Sequence, residues 1–123
     1  MKNITKEFIQ NFVNNHEFEL SSTQAKLCVP IINRIFKKMS AGIKFSSIKV
    51  ENNFICDGHH RYIASILASF FLERTPSSST SATEAVDWKS VIFEENEWDA
   101  PELIDFLNRQ DAEFNDIPVA AIQ

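Results

Sequence analysis

The first hydrophobic pattern along the chain is helical. Apolar side chains recur at three- and four-residue spacing after Thr5, whose hydroxyl suits a helix N-cap. The spacing predicts a helix that ends near residues 14–15. Residues 17–20 then alternate between polar and apolar, which is typical of a small strand or an extended linker. The apolar positions of this first helix are Phe8, Ile9, Phe12 and Val13.

A second helical pattern follows possible caps at residues 21–23. Lys37 and Lys38 near its end would complement the helix dipole. Pro30 lies within the pattern and lacks a backbone donor, so we expect two shorter helices or a kink. Gly42 stands where a left-handed C-terminal cap is expected. The apolar face of this region comprises Leu27, Ile31, Ile32, Ile35, Phe36 and Met39.

The middle of the chain changes to a β-type pattern. Residues 43–50 and 54–56 flank an Asn-rich turn at residues 51–53, which predicts a β-hairpin. The second strand leads directly into Asp57 and Gly58. Helical spacing then resumes and predicts a helix from about His59 to Leu72. Its apolar positions are Tyr62, Ile63, Ile66, Leu67, Phe70 and Phe71.

The last third alternates between polar and apolar segments. The Ser/Thr-rich stretch 75–83 predicts a mobile loop, and residues 86–93 predict a strand. An acidic turn over residues 94–99 precedes a further helix, with Asp99 as its cap. Residues 117–122 are expected to form a final edge strand. This last helix would begin with Pro101 in its first turn and bury Leu103, Phe106 and Leu107.

These elements together predict an α+β fold, with helices packed on a small mixed sheet. A chain of 123 residues with 44% hydrophobic content, including 11 Phe, is sufficient for one domain spanning residues 1–123. The two cysteines, Cys28 and Cys56, form no disulfide framework or metal-type pair. The charged N-terminus lacks a signal-peptide pattern, and no apolar stretch is long enough to cross a bilayer. We therefore expect a cytoplasmic protein without a membrane partner.

The charge balance argues against nucleic acid as the default partner. Twelve basic residues face 17 acidic ones, for a formal net charge of −5. Proteins that grip nucleic acid usually present a basic face, because neutralisation of phosphates drives that binding. A local basic patch within an acidic total remains compatible with these numbers.

The strongest candidate chemistry lies at residues 57–61, Asp-Gly-His-His-Arg, between a predicted strand and a predicted helix. Gly58 allows a sharp turn or a close approach to a ligand. The N–H groups that open a helix attract anions, whereas cations there oppose the dipole. His59, His60 and Arg61 therefore suggest that an anion binds at this turn, and the Arg61 fork suits phosphate. Asp57 could cap the helix, orient a histidine or hold a metal.

Residues 54–62, Phe-Ile-Cys-Asp-Gly-His-His-Arg-Tyr, with the preceding hairpin, resemble the ParB/sulfiredoxin-like superfamily. The resemblance extends over about residues 24–72 and includes the helix and Gly42 that lead into the hairpin. It does not extend to the C-terminal third. The superfamily includes partition proteins that hydrolyse CTP, sulfiredoxins that use ATP, a free-serine kinase and proposed nucleases.

The resemblance implies that this turn binds a nucleoside triphosphate or diphosphate, such as ATP, ADP or CTP. Gly58, His59, His60 and Arg61 would contact phosphate, and Tyr62 would complete the set of nucleotide-binding residues. If the protein is an enzyme, Asp57, His59, His60 and Arg61 would be catalytic in Mg²⁺-dependent phosphoryl transfer, nucleotide hydrolysis or phosphodiester cleavage. Sulfiredoxin chemistry is not supported, because His59 occupies the position of the catalytic cysteine. Partition-protein function is not supported either, because no helix-turn-helix region follows the motif.

Other chemistry-bearing residues have simpler interpretations. The acidic run 94–102 is typical of a solvated loop, although it could contribute a metal ligand or a base. Trp88 and Trp98 could stack on a nucleobase, but packing in the core or at a rim is commoner. Glu17 or Glu19 could serve as a base near the pocket. Glu51 belongs to the hairpin turn, and Ser65 fits an ordinary helix serine.

An alternative from another functional class is an interaction protein. The small size, the acidic balance and the acidic C-terminal stretch would suit an immunity- or antitoxin-like protein that binds a basic partner. The Asp-Gly-His-His-Arg turn would then be a relic of a nucleotide-binding ancestor.

Overall fold

The structure, a computed structural model, describes residues 3–77 and 84–122. Its helices and strands confirm the predicted α+β fold. Within the described residues, no helix combines the length and the apolar character needed to cross a membrane. The helices are α1 (Lys6–Asn15), α2 (Val29–Ser40), α3 (His59–Leu67) and α4 (Pro101–Asn115), and the strands are β1 (Lys26–Cys28), β2 (Ile48–Glu51), β3 (Phe54–Asp57), β4 (Arg74–Pro76) and β5 (Ile92–Glu94).

The strands form two small sheets. The larger has the order β3-β2-β4, with β2 antiparallel to β3 and parallel to β4. The smaller pairs β1 with β5 in parallel. Helices α1, α2 and α3 cover the strands and bury apolar side chains against them. The fully buried residues include Ile9, Val13, Leu27, Ile32, Ile48, Ile55, Ile63 and Phe93.

Two predicted elements have the expected local chemistry. The Thr5 hydroxyl accepts a hydrogen bond from Phe8 N and caps α1, which ends at Asn15. In the hairpin, Asn52 and Asn53 have φ values of 50° and 66°, as expected where two consecutive turn residues adopt positive φ. The first helix and the β2–β3 hairpin are confirmed, but β2 begins at Ile48 and includes Glu51, so residues 43–47 of the predicted first strand lie outside it.

The prediction for the second helix needs correction at its start. Residues 26–28 form β1, and α2 begins at Val29, so Pro30 lies in the first turn, where its missing donor costs little. The predicted kink or pair of helices is therefore wrong, as is the assignment of residues 21–23 as caps. The end is as predicted. Gly42, at φ +89°, donates to Met39 O, while Ile43 N bonds Lys38 O, which together cap the helix.

The third helix ends earlier than its apolar spacing predicts. Ser69 adopts φ 52°, and Phe70 N bonds Ser65 O, which closes the helix after Leu67. This cap is of the type usually formed by glycine, and a serine at that position gives no sequence signal. As a result Phe71 lies outside the helix and is 82% exposed.

Several predictions for the last third are also wrong. Residues 86–93 contain a 3-10 turn, Trp88–Ser90, and only the short strand β5. Residues 117–122 contain the 3-10 turn Val119–Ala121 in place of an edge strand. The first residues of the predicted loop, Thr75 and Pro76, belong to β4, and residues 78–83 lie outside the described part of the chain.

Helix α4 departs most clearly from its predicted packing. Its N-cap is Ala100, because the Asp99 carboxylate is bonded to Arg34 instead. Leu103 and Phe106, expected to be buried, are 43% and 47% exposed, and Leu107, also expected to be buried, is half-buried. Among the helix residues only Ala112 is buried. The apolar spacing of α4 therefore does not correspond to a core-facing side.

Candidate functional site

The Asp57–Arg61 turn adopts the strand-to-helix geometry that the sequence predicts. Strand β3 ends at Asp57, Gly58 has φ +105°, and α3 begins at His59. The first helical bond joins Tyr62 N to Gly58 O at 2.9 Å. The N–H groups of residues 59–61 therefore have no acceptor within the helix, and no side chain of the described residues caps them. The positive end of α3 is open.

This open helix end faces a cleft of about 540 Å³ between α2, α3 and α4. All of residues 57–61 line it, which places the predicted turn residues together. The opposite walls come from α2 and α4. Their lining side chains are Ile31, Arg34, Ile35 and Lys38 from α2, and Ile104, Leu107, Asn108, Gln110 and Asp111 from α4.

Gly58 is required at the base of the cleft for two reasons. Its φ of +105° is a conformation that side chains rarely adopt. A Cβ at this position would also lie 2.4 Å from Ile48 Cγ2 and 2.9 Å from Arg61 Nη2. Ile48 is fully buried, so the strand cannot easily yield. The turn therefore depends on the absence of a side chain.

His59 is 5% exposed and accepts a hydrogen bond from Thr23 N through Nε2 at 3.0 Å. Because a backbone N–H can only donate, the neutral ring must carry its proton on Nδ1. Burial lowers the pKa of His59 to about 4, although the nearby Asp57 charge acts to raise it. His59 is thus an uncharged acceptor that fixes the segment before β1.

His60 has the same role toward a different segment. Its Nε2 accepts from Cys28 N at 2.9 Å, and the Trp98 ring meets it edge-on with the ring centres 5.5 Å apart. Burial, followed by the neighbouring His59 and the Arg34 charge, lowers the pKa of His60 to about 4. The interpretation of His59 and His60 as cations opposing the helix dipole is therefore wrong at neutral pH.

Arg61 bonds protein groups through both terminal nitrogens. Nη1 donates to Ser46 O at 3.0 Å, to Ser46 Oγ at 2.8 Å and to Ser47 O at 3.1 Å. Nη2 donates to Asp57 Oδ2 at 3.1 Å, one helical turn earlier. Arg61 therefore ties the segment that leads into β2 to the start of α3, and Asp57 holds the guanidinium in place.

The structure adds two cations that the sequence did not single out as ligand-binding residues. Arg34 and Lys38 lie one turn apart on α2 and line the cleft opposite the start of α3. Their four-residue spacing places both on one side of the helix. That spacing was available in the sequence, but nothing local indicates that this side faces residues 57–61.

Several other candidate residues lie away from the cleft. Tyr62 is 4% exposed, its hydroxyl accepts from Leu20 N at 3.3 Å, and burial raises the pKa of its phenol. Trp88 is also buried and donates to Leu20 O. Glu17 and Glu19 line a separate cleft on the other side of α3, where Glu19 pairs with Arg74. Tyr62 and Trp88 are core residues in this arrangement.

Two further candidates have ordinary roles in the structure. The Ser65 hydroxyl donates to Tyr62 O at 2.7 Å within α3, as expected for a helix serine. Trp98 is 41% exposed, and its indole donates to Glu94 Oε1 at 2.9 Å beside the cleft. Trp98 thus packs against His60 at a rim, while part of its ring stays accessible.

Within 3–77 and 84–122, no group of three or more His, Cys, Asp or Glu side chains is arranged to hold a metal ion. Mg²⁺ commonly needs only one or two carboxylates when ligand phosphates supply further oxygens. Asp57, whose side chain is 66% exposed, is the carboxylate beside the open helix end that could serve in this way.

Comparisons with known proteins identify no family for this chain. Neither the protein-family models, nor the curated proteins, nor the solved structures contain a match to this chain. The resemblance to the ParB/sulfiredoxin-like superfamily therefore stays a hypothesis that rests on the residues around the Asp57–Arg61 turn.

Proposed function

We propose that the cleft binds a phosphate-bearing ligand, and that this ligand is a nucleoside diphosphate or triphosphate such as ATP, ADP or CTP. The observation that carries the proposal is the uncapped start of α3, which opens into the cleft. Free N–H groups at the positive end of a helix form a preorganised anion site. Arg34 and Lys38 on the opposite wall supply positive charge for further phosphates.

The remaining walls of the cleft suit a nucleobase. Ile31, Ile35, Phe45, Ile104 and Leu107 give it apolar surfaces beside the polar side chains of the α2 and α4 walls. The volume of about 540 Å³ lies within the range of roughly 300–1,000 Å³ common for small-molecule sites.

The positions of the two histidines favour binding over catalysis. A general base needs an available lone pair, and the Nε2 lone pairs of His59 and His60 accept from Thr23 N and Cys28 N. Each ring can offer only its Nδ1–H as a donor. We therefore propose a nucleotide-binding protein in which Mg²⁺, if present, arrives with the phosphates and contacts Asp57.

A titration of the wild-type protein with nucleotides tests the proposal directly. ATP, ADP and CTP, each with and without Mg²⁺, are measured by isothermal titration calorimetry and by thermal shift. At least one should bind and raise the melting temperature, since ligand that binds only the folded state stabilises it. Absence of binding across the panel would refute the proposal.

The matched variants are Lys38→Ala and Lys37→Ala. Both remove one positive charge from α2, but Lys38 lines the cleft and Lys37 does not. A charge-assisted phosphate contact contributes about 1.5–3 kcal/mol, so Lys38→Ala should weaken binding by roughly ten- to a hundred-fold. Lys37→Ala should have little effect. Equal effects of the two variants would show that binding reflects net charge and not the cleft.

A second candidate function is that of an interaction protein, and the exposed apolar side chains of α4 favour it. Leu103, Phe106 and Phe114 are 43%, 47% and 58% exposed. Glu102, Asp105 and Glu113 on the same helix are also exposed. Apolar residues bordered by acids suit a partner that presents apolar side chains within a basic surface. An immunity- or antitoxin-like protein would use such a face.

This second candidate is separable from nucleotide binding by a peptide titration. The probe is a synthetic amphipathic helix with Leu on one side and Lys on the other, and the control is a shuffled peptide of identical composition. The interaction hypothesis expects saturable binding that Leu103→Ser with Phe106→Ser abolishes. Equal binding of the shuffled peptide would contradict it. Nucleotide affinity should be unchanged in the double variant.

A further inference from the structure

Carboxylates from the C-terminal segment bind both α2 cations of the cleft. Arg34 Nη1 is hydrogen-bonded to Glu97, and its Nη2 lies 3.0 Å from Asp99 Oδ2. Lys38 Nζ lies 2.7 Å from Asp111 Oδ2. Glu97 and Asp99 precede α4, and Asp111 lies within it. We refer to Glu97, Asp99 and Asp111 together as the acidic clamp.

The acidic clamp is more than a set of freely solvated charges. The side chains of Lys38 and Asp111 are 12% and 21% exposed, and those of Arg34 and Asp99 are 23% and 17% exposed. Desolvation alone would raise the pKa of Glu97, but hydrogen bonds from Arg34 and from the Asp99 and Trp98 backbones, with the Arg34 charge, hold it below its ordinary 4.5. Partly buried pairs are also screened less by salt than exposed ones.

Apart from these pairs, α4 is weakly attached to the rest of the protein. Ala112 is its only buried residue. Asn108 Oδ1 is buried without a hydrogen-bond donor among the described residues, which destabilises the docked position. At the far end, Asn115 bonds Lys44 N at 2.7 Å and Lys44 O at 2.9 Å. The α4 wall is therefore held mainly by ion pairs, with a polar anchor at its C-terminal end.

We propose that the acidic clamp occupies the cations that ligand phosphates would contact, so that a polyphosphate binds by displacing Glu97, Asp99 and Asp111 from Arg34 and Lys38. The inference rests on the proposed phosphate-binding function of the cleft. Displacement releases α4 from α2 and exposes Asn108 Oδ1 to water, which removes the unsatisfied contact. The carboxylates of the acidic clamp thus compete with the ligand phosphates for Arg34 and Lys38.

The competition gives the site a preference among ligands. A monophosphate can bind the start of α3 without reaching the clamped cations, and it has little charge with which to compete for them. A triphosphate carries enough phosphate groups to bind the helix end and to replace the carboxylates at Arg34 and Lys38 as well. The cleft should therefore bind inorganic tripolyphosphate and nucleoside triphosphates more tightly than the corresponding monophosphates.

The test is the triple variant Glu97→Gln, Asp99→Asn, Asp111→Asn, which removes the clamp charges and preserves side-chain shape. Its affinity for tripolyphosphate and for ATP is measured by calorimetry beside the wild type. We expect tighter binding by roughly ten-fold, in line with the loss of several competing ion pairs. Hydrogen exchange without ligand should also become faster in α4, because the pairs that hold it are absent.

The control triple variant is Glu102→Gln, Asp105→Asn, Glu113→Gln. It changes the net charge by the same amount at exposed α4 positions that make no ion pair within the described part of the chain. Its affinity for tripolyphosphate should stay close to that of the wild type. If the clamp triple variant does not fold, Asp111→Asn is compared with Asp105→Asn, which removes the same single charge at an exposed α4 position.

The two proposals fail in different ways. If the wild type binds tripolyphosphate and the clamp variant gains no more affinity than the control variant, the competition is refuted and phosphate binding stands. The competition is also refuted if α4 exchanges equally in wild type and clamp variant. If neither wild type nor any variant binds a phosphate ligand, the proposed function itself is refuted, and the competition with it.

Discussion

Helices α3 and α4 form two walls of the same cleft, yet they are attached to the protein by different forces. Helix α3 has nine residues, of which His59, Tyr62, Ile63, Ala64 and Ser65 are buried. Helix α4 has 15 residues and buries only Ala112. Apolar burial fixes α3, whereas α4 is held by the pairs Arg34–Asp99 and Lys38–Asp111 and by the Asn115 anchor.

Because of this difference, the two walls of the cleft should respond differently to a ligand. The free energy of apolar burial is hard to replace, so a ligand cannot move α3, and its open N-terminus stays in position. An ion pair can be exchanged for another ion pair at little net cost, so an anionic ligand can compete for the cations that hold α4. The four experiments below probe this contrast through the stability of the protein.

The largest expected effect comes from a matched pair of truncations. Ile63→Ala in α3 removes a fully buried side chain and should lower the free energy of unfolding by about 2–5 kcal/mol. Leu103→Ala in α4 removes a 43% exposed side chain and should change it by less than about 0.5 kcal/mol. Chemical denaturation measures both. Comparable losses would show that α4 belongs to the cooperative core.

The pH dependence of stability should report the protonation of His59 and His60. His59 and His60 have pKa values of about 4 in the folded protein, against an ordinary 6.5. As the pH falls below 6.5, the unfolded chain takes up protons that the folded one does not, so stability falls until about pH 4. Over that window the loss of stability should be on the order of 3 kcal/mol, shared between the two histidines. Above pH 6.5 the contribution of the two histidines is fully present.

The control for this experiment is His59→Gln, whose amide oxygen can still accept from Thr23 N but does not titrate. Between pH 7 and pH 5, the free energy of unfolding of His59→Gln should fall by about half as much as that of the wild type, as measured by denaturation at pH 7, 6 and 5. The groups that face the pair are Asp57 and Arg34, and the depressed pKa of Glu97 keeps its pair with Arg34 charged through this range. An unchanged pH profile in the variant would mean that His59 does not carry the effect.

The two glycines separate the effect of backbone conformation from that of close packing. Gly58→Ala forces a Cβ to within 2.4 Å of Ile48 Cγ2 at a positive φ, and should cost about 2–4 kcal/mol of stability. Gly42→Ala has a similar φ of +89° but meets nothing within 4 Å, and should cost about 1–2 kcal/mol. Thermal denaturation of the two variants measures the difference. Equal losses would show that the turn tolerates a side chain.

Among the substitutions at the α3 wall that are expected to destabilise the protein, Arg61→Ala should have the smallest effect. Its bonds to Ser46 O, Ser47 O and Asp57 stabilise the start of α3, so the loss should be about 1–3 kcal/mol. Arg61→Lys should recover only part of the lost stability, because one ammonium group cannot replace the guanidinium fork. Arg74→Ala is the control, since its pair with Glu19 is exposed. A greater loss for Arg74→Ala would contradict the structural role of Arg61.

The sequence alone determined the elements whose signals are local. The Thr5 cap, the Asn52-Asn53 turn, Gly42 and the passage from β3 through Gly58 into α3 all follow from the preferences of neighbouring residues. Such preferences act over a few residues and do not depend on the rest of the fold. For the same reason the sequence located residues 57–61 as the turn at which a strand ends and a helix begins.

Only the tertiary structure decided which charges face that entrance. His59 and His60 are uncharged because the fold desolvates them and because the backbones of Thr23 and Cys28, more than 30 positions away, donate to their acceptor nitrogens. Arg34 and Lys38 face the cleft, and Asp99 and Asp111 neutralise them, through contacts more than 60 positions apart in sequence. The apolar spacing of α4 predicted burial that α4 does not have. Charge state and burial depend on what the rest of the chain places nearby, so local pattern could not determine them.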